Sequence, residues 1–391
     1  MRAVKGISML VGIIVALLLG AESYLRFVLK EVPAPFKNNF AESFAKLMEF
    51  DPTIGNRYRI NIDQAIESPT GDFTILYKTN EINLRDRAMG THLRQELKFL
   101  VFGDEFAEGW GSDIDRAFAV QAHNQVNEKT ALNPPIRTVI AAQSGFGAAQ
   151  NYLVGKKLFE TIQPKAAIFF YTSLMPHADS QFLRDAVVEN GVASGLKSNV
   201  AQTPRLPHLE DHVAVPANFL SRLALVSVLA YRAAEMLAMR AANADLKIGD
   251  PVTDRLAGMR GTAAGLEAAH AASLRHVGEL AALAQAKQIP FLLVHLPLPP
   301  QISAQDWAGG RRLFEVEEGL QPSNDVAVVE SFCTQHKIRC ISLHNPMHEA
   351  GEHSSLFFAN ELALSLEGSN WVGSWLAEEI LRWMLELGYR H

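Results

Sequence analysis

Two acidic residues follow a short apolar run in the first third of the chain. The run and the turn after it read FLVFGDEFAEGWG from Phe99 to Gly111, with Asp104 and Glu105 directly after Gly103. An apolar run broken by glycine predicts a buried strand that ends in a tight turn. Because active sites of open α/β sheets lie at the carboxyl ends of strands, we expect the candidate site at this turn.

Three later segments could supply partners for this turn. The segment 139–150 (VIAAQSGFGAAQ) carries glycines and a glutamine after an apolar strand, and the strand 166–171 is followed by two hydroxyl residues. The segment 357–368 (FFANELALSLEG) lies near the end of the chain. The residues concerned are Gly145, Gly147, Gln150, Thr172, Ser173, Glu361, Ala363 and Gly368.

These four segments together resemble the motifs of SGNH (GDSL-like) hydrolases. In that family the first turn reads Gly-Asp-Ser, and the serine is the nucleophile; here Glu105 stands in its place. The family's later Asn would fall near Thr172 or Ser173, and its final Asp and His fall at Glu361 and Ala363. Membrane-anchored members also carry segments similar to Asp51–Gly55 and to Asn80–Asp86, in which Asn83 takes a glycine place.

The resemblance implies a degenerate site. Ester acyl transfer needs a nucleophile, a base and oxyanion donors, and neither Glu105 nor Ala363 can replace the lost serine and histidine. We therefore expect no catalytic residue of the family type and no family-type ester hydrolysis. The residues left to form a binding site are Asp104, Glu105, Gly145, Ser173 and Glu361.

Other reactive side chains are weighed against plainer interpretations. His344, His348 and His353 share a predicted loop with two glutamates, but their spacing matches no standard metal site, so neither a metal nor a cofactor is predicted. His295 ends an apolar strand and is interpreted as a core-edge histidine. Ser144 could be a displaced nucleophile, but no base for it is evident.

The order of predicted elements gives the fold class. Strands and helices alternate from residue 97 onward, which predicts an α/β three-layer sandwich: a mostly parallel sheet with helices on both faces, SGNH- or flavodoxin-like. We divide the chain into a signal anchor or transmembrane segment at 1–30, a membrane-proximal extension at 31–90 and an SGNH-like domain at 91–391. A helical and loop insertion is expected at about 176–288, irregular from 176 to 215 and helical over 217–242 and 261–287.

The amino terminus and the composition bear on compartment and partners. Arg2 and Lys5 precede an uncharged run from Gly6 to Ala21, which fits either a cleaved signal peptide or a retained anchor; the resemblance favours an anchor. The basic flank then predicts a single-pass inner-membrane protein with its body in the periplasm. A net charge of −6 argues against nucleic acid as a partner.

In that compartment, Cys333 and Cys340 could form a disulfide, or they could be separate small apolar side chains.

Three function classes remain open from the sequence. The first is an extracytoplasmic pseudoenzyme that binds a glycan or acyl group or scaffolds partners in envelope polysaccharide processing, as the resemblance implies. The second is an active esterase or O-acetyltransferase with rearranged residues, which requires a Ser–His pair at the Gly145 turn. The third is a structural subunit of a membrane protein complex, which an apolar face on the anchor or on the Ala-rich helices would favour.

Overall fold

The structure is a computed structural model of the 391-residue chain. It describes residues 15–24, 40–68, 70–90, 96–130, 132–200, 256–257, 265–313, 316–317, 319–321 and 323–388. The helix predicted over 217–242 therefore lies outside the described residues, as do most of the anchor segment and part of the insertion.

A five-stranded parallel sheet forms the centre of the molecule. Its strands are β5 (Leu97–Phe102), β6 (Ile136–Ile140), β7 (Ala166–Tyr171), β10 (Phe291–His295) and β11 (Arg339–Ser342). The spatial order is β11-β10-β7-β5-β6, and every neighbouring pair is parallel. This is the flavodoxin-like order, in which the direction of winding reverses between the first and third strands. The predicted fold class is confirmed, and the switch point lies between β5 and β7.

Helices cover both faces of this sheet. In chain order they are α1 (Phe40–Ala45), α2 (Glu105–Glu108), α3 (Phe118–Lys129), α4 (Ala148–Ile162), α5 (Met175–Leu183), α6 (Leu266–Ala286), α7 (Pro299–Ile302), α8 (Ala308–Leu313), α9 (Asn324–His336), α10 (His344–Gly351) and α11 (Leu366–Glu386). One apolar core packs β5, β6, β7 and β10 against α3 and α11, and a second packs the opposite face against α4, α6 and α9. Burial on both faces explains why β6 and β7 are apolar or buried at every position.

Two small hairpins precede the sheet. Strands β1 (Met48–Asp51) and β2 (Gly55–Tyr58) pair antiparallel, as do β3 (Asp63–Glu67) and β4 (Thr74–Lys78). With α1 and the turns up to residue 90, these hairpins make up the described part of the segment predicted as a membrane-proximal extension at 31–90. We call this part, residues 40–90, the extension. Asn83 has a φ of 66°, a left-handed conformation that asparagine tolerates better than most residues, so it can take a glycine place.

Two sequence expectations are corrected. The segment after Pro176 is not irregular up to residue 200: α5 ends at Leu183, and β8 (Ala186–Glu189) pairs with β9 (Val192–Leu196) in a hairpin. The histidine-rich segment at 344–351 is helix α10 rather than a loop. Alternation was weak in both places because the elements are short and mix polar with apolar residues.

Two further expectations concern the compartment. Cys333, near the end of α9, and Cys340, in β11, form a disulfide whose Cα atoms are 5.9 Å apart. In the part of the chain that the structure describes, no helix is both long and apolar enough to span a bilayer. The anchor therefore remains a prediction that rests on the sequence. The division into domains also remains a prediction.

Candidate functional site

The first-motif turn is built by a glycine and capped by an aspartate. Gly103 has a φ of +150°, and a Cβ atom there would lie 2.5 Å from the Cβ of Ala107, so no larger residue fits. Asp104 caps the amino terminus of α2 by accepting a hydrogen bond from the Phe106 amide at 3.1 Å. Its other oxygen accepts the hydroxyl of Thr172, which follows β7. The ends of β5 and β7 are thus joined at the switch point.

Glu105 points toward the segment 139–150, which we call the second motif. Its carboxylate accepts a hydrogen bond from the Gly145 amide at 3.3 Å, and the residue is only 2% exposed. Gly145 has a φ of 76° and lies at the surface, so the carboxylate lies beneath an exposed glycine turn. In an acyl-transfer site, an amide in this turn would be available for the oxyanion. Here a carboxylate accepts its hydrogen.

Glu108 is a second buried carboxylate on the same turn of helix. It accepts the Tyr58 hydroxyl at 2.9 Å, and also the Tyr77 hydroxyl and the Ser144 amide. Arg85 lies 3.8 Å away and donates to the carbonyl of Glu108 itself. Burial raises the pKa of the Glu108 carboxyl, against the opposing effects of Arg85 and the donors. Sequence reasoning missed Glu108, although a glutamate within the apolar stretch FAEGW was a usable signal.

The extension is hydrogen-bonded to the segment 357–368, which we call the last motif. Glu361 accepts hydrogen bonds from the Trp110 indole at 3.3 Å and from the Thr70 hydroxyl at 3.0 Å. Asp72 accepts the Glu361 amide at 2.7 Å and the Asn360 amide at 2.8 Å. Ala363, at the family's histidine position, is 1% exposed. The two degenerate positions of this motif are therefore enclosed by the chain's own segments.

The extension also packs an apolar cluster over this end of the sheet. Phe44 and Phe73 meet the Trp110 ring edge-on, with centroids 5.7 and 5.2 Å apart. The cluster is completed by Ala363 and by side chains from β1 to β4. Two glutamine side chains fasten the extension to the second motif, since Gln143 donates to the Asn56 carbonyl at 3.2 Å and Gln150 to the Ile54 carbonyl at 2.8 Å.

The second-motif turn has its own buried acid. A Cβ atom on Gly147 would lie 2.2 Å from a carboxylate oxygen of Asp179, which explains why this position is glycine. Asp179 accepts the Ala149 amide at 2.8 Å and the Ser273 hydroxyl at 2.5 Å. Burial raises the pKa of Asp179 to about 7. Ser144, in the same turn, has a buried hydroxyl, and no histidine is hydrogen-bonded to it among the described residues.

Ser173 belongs to a different cluster from Glu105. Its hydroxyl donates to Asp325, the second residue of α9, and Gln301 donates to the other Asp325 oxygen at 3.0 Å. His295 lies 2.7 Å from Asp325 through Nε2 and 3.1 Å from the Ser342 hydroxyl through Nδ1. His295 is fully buried, as the sequence interpretation expected. Asp325 was missed because an acidic residue near the start of a helix is also the ordinary pattern of helix-dipole stabilisation.

Of the five residues predicted to form a binding site, Asp104 and Glu105 share the first-motif turn, and Gly145 in the second-motif turn is hydrogen-bonded to Glu105. Glu361 lies beside Trp110, and Ser173 faces Asp325. The histidines of α10 form no metal cluster, and none of the described residues does. His348 instead bonds the Ile302 carbonyl at 2.7 Å.

No family model and no curated protein matches the chain. Among solved structures, it is similar to TesA, with 14% identity and a TM-score of 0.36 over 73% of this chain and 99% of that one. A lipase/acylhydrolase from Enterococcus faecalis gives 12% identity and a TM-score of 0.38, covering 72% of this chain and 94% of that one. The esterase EstA from Pseudoalteromonas sp. gives 10% and 0.36, covering 74% and 99% respectively.

The chain is an α/β protein with a central parallel sheet, and the segments that resemble the first and second SGNH motifs directly follow β5 and β6.

Proposed function

We propose that this chain is a membrane-anchored, extracytoplasmic SGNH-hydrolase-like protein that lacks the family's ester hydrolysis and serves as an accessory in envelope polysaccharide processing. The observation that carries the proposal is the hydrogen bond from the Gly145 amide to Glu105. Because glutamate stands at this position, the site has no serine nucleophile. The Glu105 carboxylate also repels the negative charge that develops on an oxyanion.

The neighbouring contacts support the same conclusion. The Ser144 amide is bound to Glu108, so two successive amides of the second motif have carboxylates as acceptors. The base position is Ala363, which has no group that accepts a proton. A triad enzyme without its triad retains only weak catalysis, and here the oxyanion donors are engaged as well.

Of the two accessory roles, the geometry favours scaffolding over capture of a glycan or acyl group at the degenerate side chains. Glu105 and Glu361 are 2% and 5% exposed, and the extension covers the last motif. A ligand could meet the backbone at Gly145 but not these carboxylates. We therefore propose that a membrane protein partner binds the exterior surface of the α/β domain and not the enclosed carboxylates.

The activity test compares the full-length protein with Glu105→Gln on p-nitrophenyl acetate. We expect equal rates, since the hydrolysis that Glu105 could support is absent. A rate that falls in Glu105→Gln, with the fold intact by circular dichroism, would overturn the proposal.

The accessory role is tested by complementation in the source bacterium. Glu105→Gln should restore the acetyl content of the envelope polysaccharide in a deletion strain as fully as the wild type does. A stable, correctly located variant that fails to complement would show that Glu105 chemistry is needed.

The membrane location is tested by fractionation. The protein should stay with the inner membrane after carbonate extraction, and its body should be cut by protease only once the outer membrane is permeabilised. A soluble product starting near Tyr24 would show that the segment is cleaved instead.

A further inference from the structure

Three side chains at the β10–β11 end of the sheet form a linear hydrogen-bonded chain. The Ser342 hydroxyl is 3.1 Å from Nδ1 of His295, and Nε2 of His295 is 2.7 Å from the Asp325 carboxylate. His295 and Ser342 are direct neighbours in the parallel register, each at the last position of its strand. Asp325 comes from the first turn of α9. The three therefore meet at the carboxyl edge, where α/β sheets carry chemistry.

The hydrogen bonds fix how this chain is polarised. Burial alone would raise the pKa of Asp325, but His295 beside it lowers that pKa well below its usual value. When the ring carries a single proton, on Nε2, the carboxylate accepts that hydrogen and Nδ1 accepts from Ser342. Ser173 and Gln301 hold the carboxylate in place, and the His344 amide donates to the Ser342 oxygen at 3.3 Å.

We propose that Ser342 is the nucleophile of an acyl-transfer site at the β10–β11 end of the sheet, with His295 as its general base and Asp325 as the residue that orients the base. The substrate class is a small, activated acyl ester. His295 and Asp325 are buried while Ser342 is partly exposed, so the nucleophile can be reached from solvent. The proposal goes beyond the accessory role and does not depend on it.

The reaction is an ordinary two-step acyl transfer. The Ser342 oxygen attacks the ester carbonyl while its proton passes to Nδ1 of His295, and that proton then leaves with the alcohol as the ester bond breaks. In the second step water attacks the acyl-serine and gives a proton to Nδ1 of His295. That proton passes to the Ser342 oxygen as the acyl–serine bond breaks, so the carboxylic acid departs and the free serine is restored.

The nucleophile of this site lies apart from the Gly145 turn, although Ser173, which bonds Asp325, is also one of the residues predicted from the motifs. Ser342 ends β11, at the opposite edge of the sheet from β6, which leads to Gly145. Four strand spacings separate the two edges, roughly 19 Å at the usual spacing between neighbouring strands.

The test is covalent labelling of the full-length protein with a fluorophosphonate probe, read by peptide mass spectrometry. We expect one adduct, on the peptide containing Ser342, and its loss in Ser342→Ala. Ser354→Ala is the matched control, because Ser354 is also partly exposed and no histidine is hydrogen-bonded to it among the described residues. This variant should label like the wild type. His295→Gln should slow labelling at least tenfold.

Several outcomes would overturn the proposal. They are a folded wild type that takes up no probe, an adduct that persists in Ser342→Ala, and an adduct on another serine. Thermal unfolding of each variant separates loss of reactivity from loss of fold. Ser342→Ala removes a single hydroxyl at a partly exposed position, so we expect this variant to stay folded. The readout is the position of an adduct, so it fails independently of the Glu105 turnover test.

Discussion

The Glu105 carboxylate and the Gly145 amide are hydrogen-bonded between the turns that follow β5 and β6, with 3.3 Å between oxygen and nitrogen. Glu105 follows β5 and Gly145 follows β6, so this bond joins two motifs that are about forty residues apart. The two positions are the ones that resemble the SGNH nucleophile and second-motif glycine, and in this protein they are hydrogen-bonded to each other.

Replacing Glu105 tests whether that bond stabilises the fold. Glu105→Gln keeps the shape but loses the charge on the acceptor, so we expect the free energy of unfolding at pH 7 to fall by about 1 kcal/mol. Urea unfolding measures this, with the exposed Glu352→Gln as the control. A variant more stable than the wild type would instead show that repulsion among Asp104, Glu105 and Glu108 dominates.

Tyr58 tests how firmly the extension is fastened. Tyr58→Phe removes one hydroxyl donor from the buried Glu108 carboxylate, which should lower the free energy of unfolding by about 1–3 kcal/mol. Amide exchange in β1 and β2 should accelerate, because this bond ties β2 to α2. Tyr152→Phe, at a partly exposed site on α4, should change neither quantity. Unaltered exchange in Tyr58→Phe would show that the apolar cluster alone holds the extension.

Asp179 should make stability fall as pH rises. Its folded pKa is raised from 3.8 to about 7, so between these values the folded protein binds more protons than the unfolded chain. The resulting contribution to stability is present at acid pH and is lost through this window. Asp179→Asn should therefore flatten the stability profile and unfold at higher denaturant near pH 8. Urea midpoints across the range measure it, and the exposed Glu189→Gln should keep the wild-type slope.

Restoring the family's residues should not restore activity. Ala363 is fully packed beneath the extension, so Ala363→His should lower the free energy of unfolding by about 1–3 kcal/mol or more through overpacking. Glu105→Ser combined with Ala363→His should hydrolyse p-nitrophenyl acetate no faster than the wild type does. The exposed Ala359→His serves as the stability control. Hydrolysis by the double variant above the wild-type rate would mean that the extension leaves the site open to substrate.

The sheet and its long helices were predictable because their patterns are local. Strand β7 is an uninterrupted apolar run. The sequence pattern predicts a helix at 325–336 and a strand at 338–343, and the bounds of α9 and β11 differ from these by no more than one residue. The first-motif turn was predictable for the same reason, since Gly103 and the residues beside it determine it.

The packing of the extension was not predictable, because it depends on pairs far apart in the chain. Nothing near Thr70 indicates that its hydroxyl bonds Glu361, and nothing near Tyr58 indicates Glu108. The cluster of His295, Asp325 and Ser342 was missed for the same reason: each residue alone has an unremarkable local pattern.

The contacts of Thr70 and Asp72 also constrain the order in which the protein folds. These residues are synthesised early, yet their partners Glu361 and Asn360 lie 291 and 288 positions later. Closing so long a loop has an entropic cost, and the contacts cannot form before the carboxyl-terminal motif exists. The segment that carries Thr70 and Asp72 is therefore among the first to emerge, and its contacts with the last motif are among the last to form.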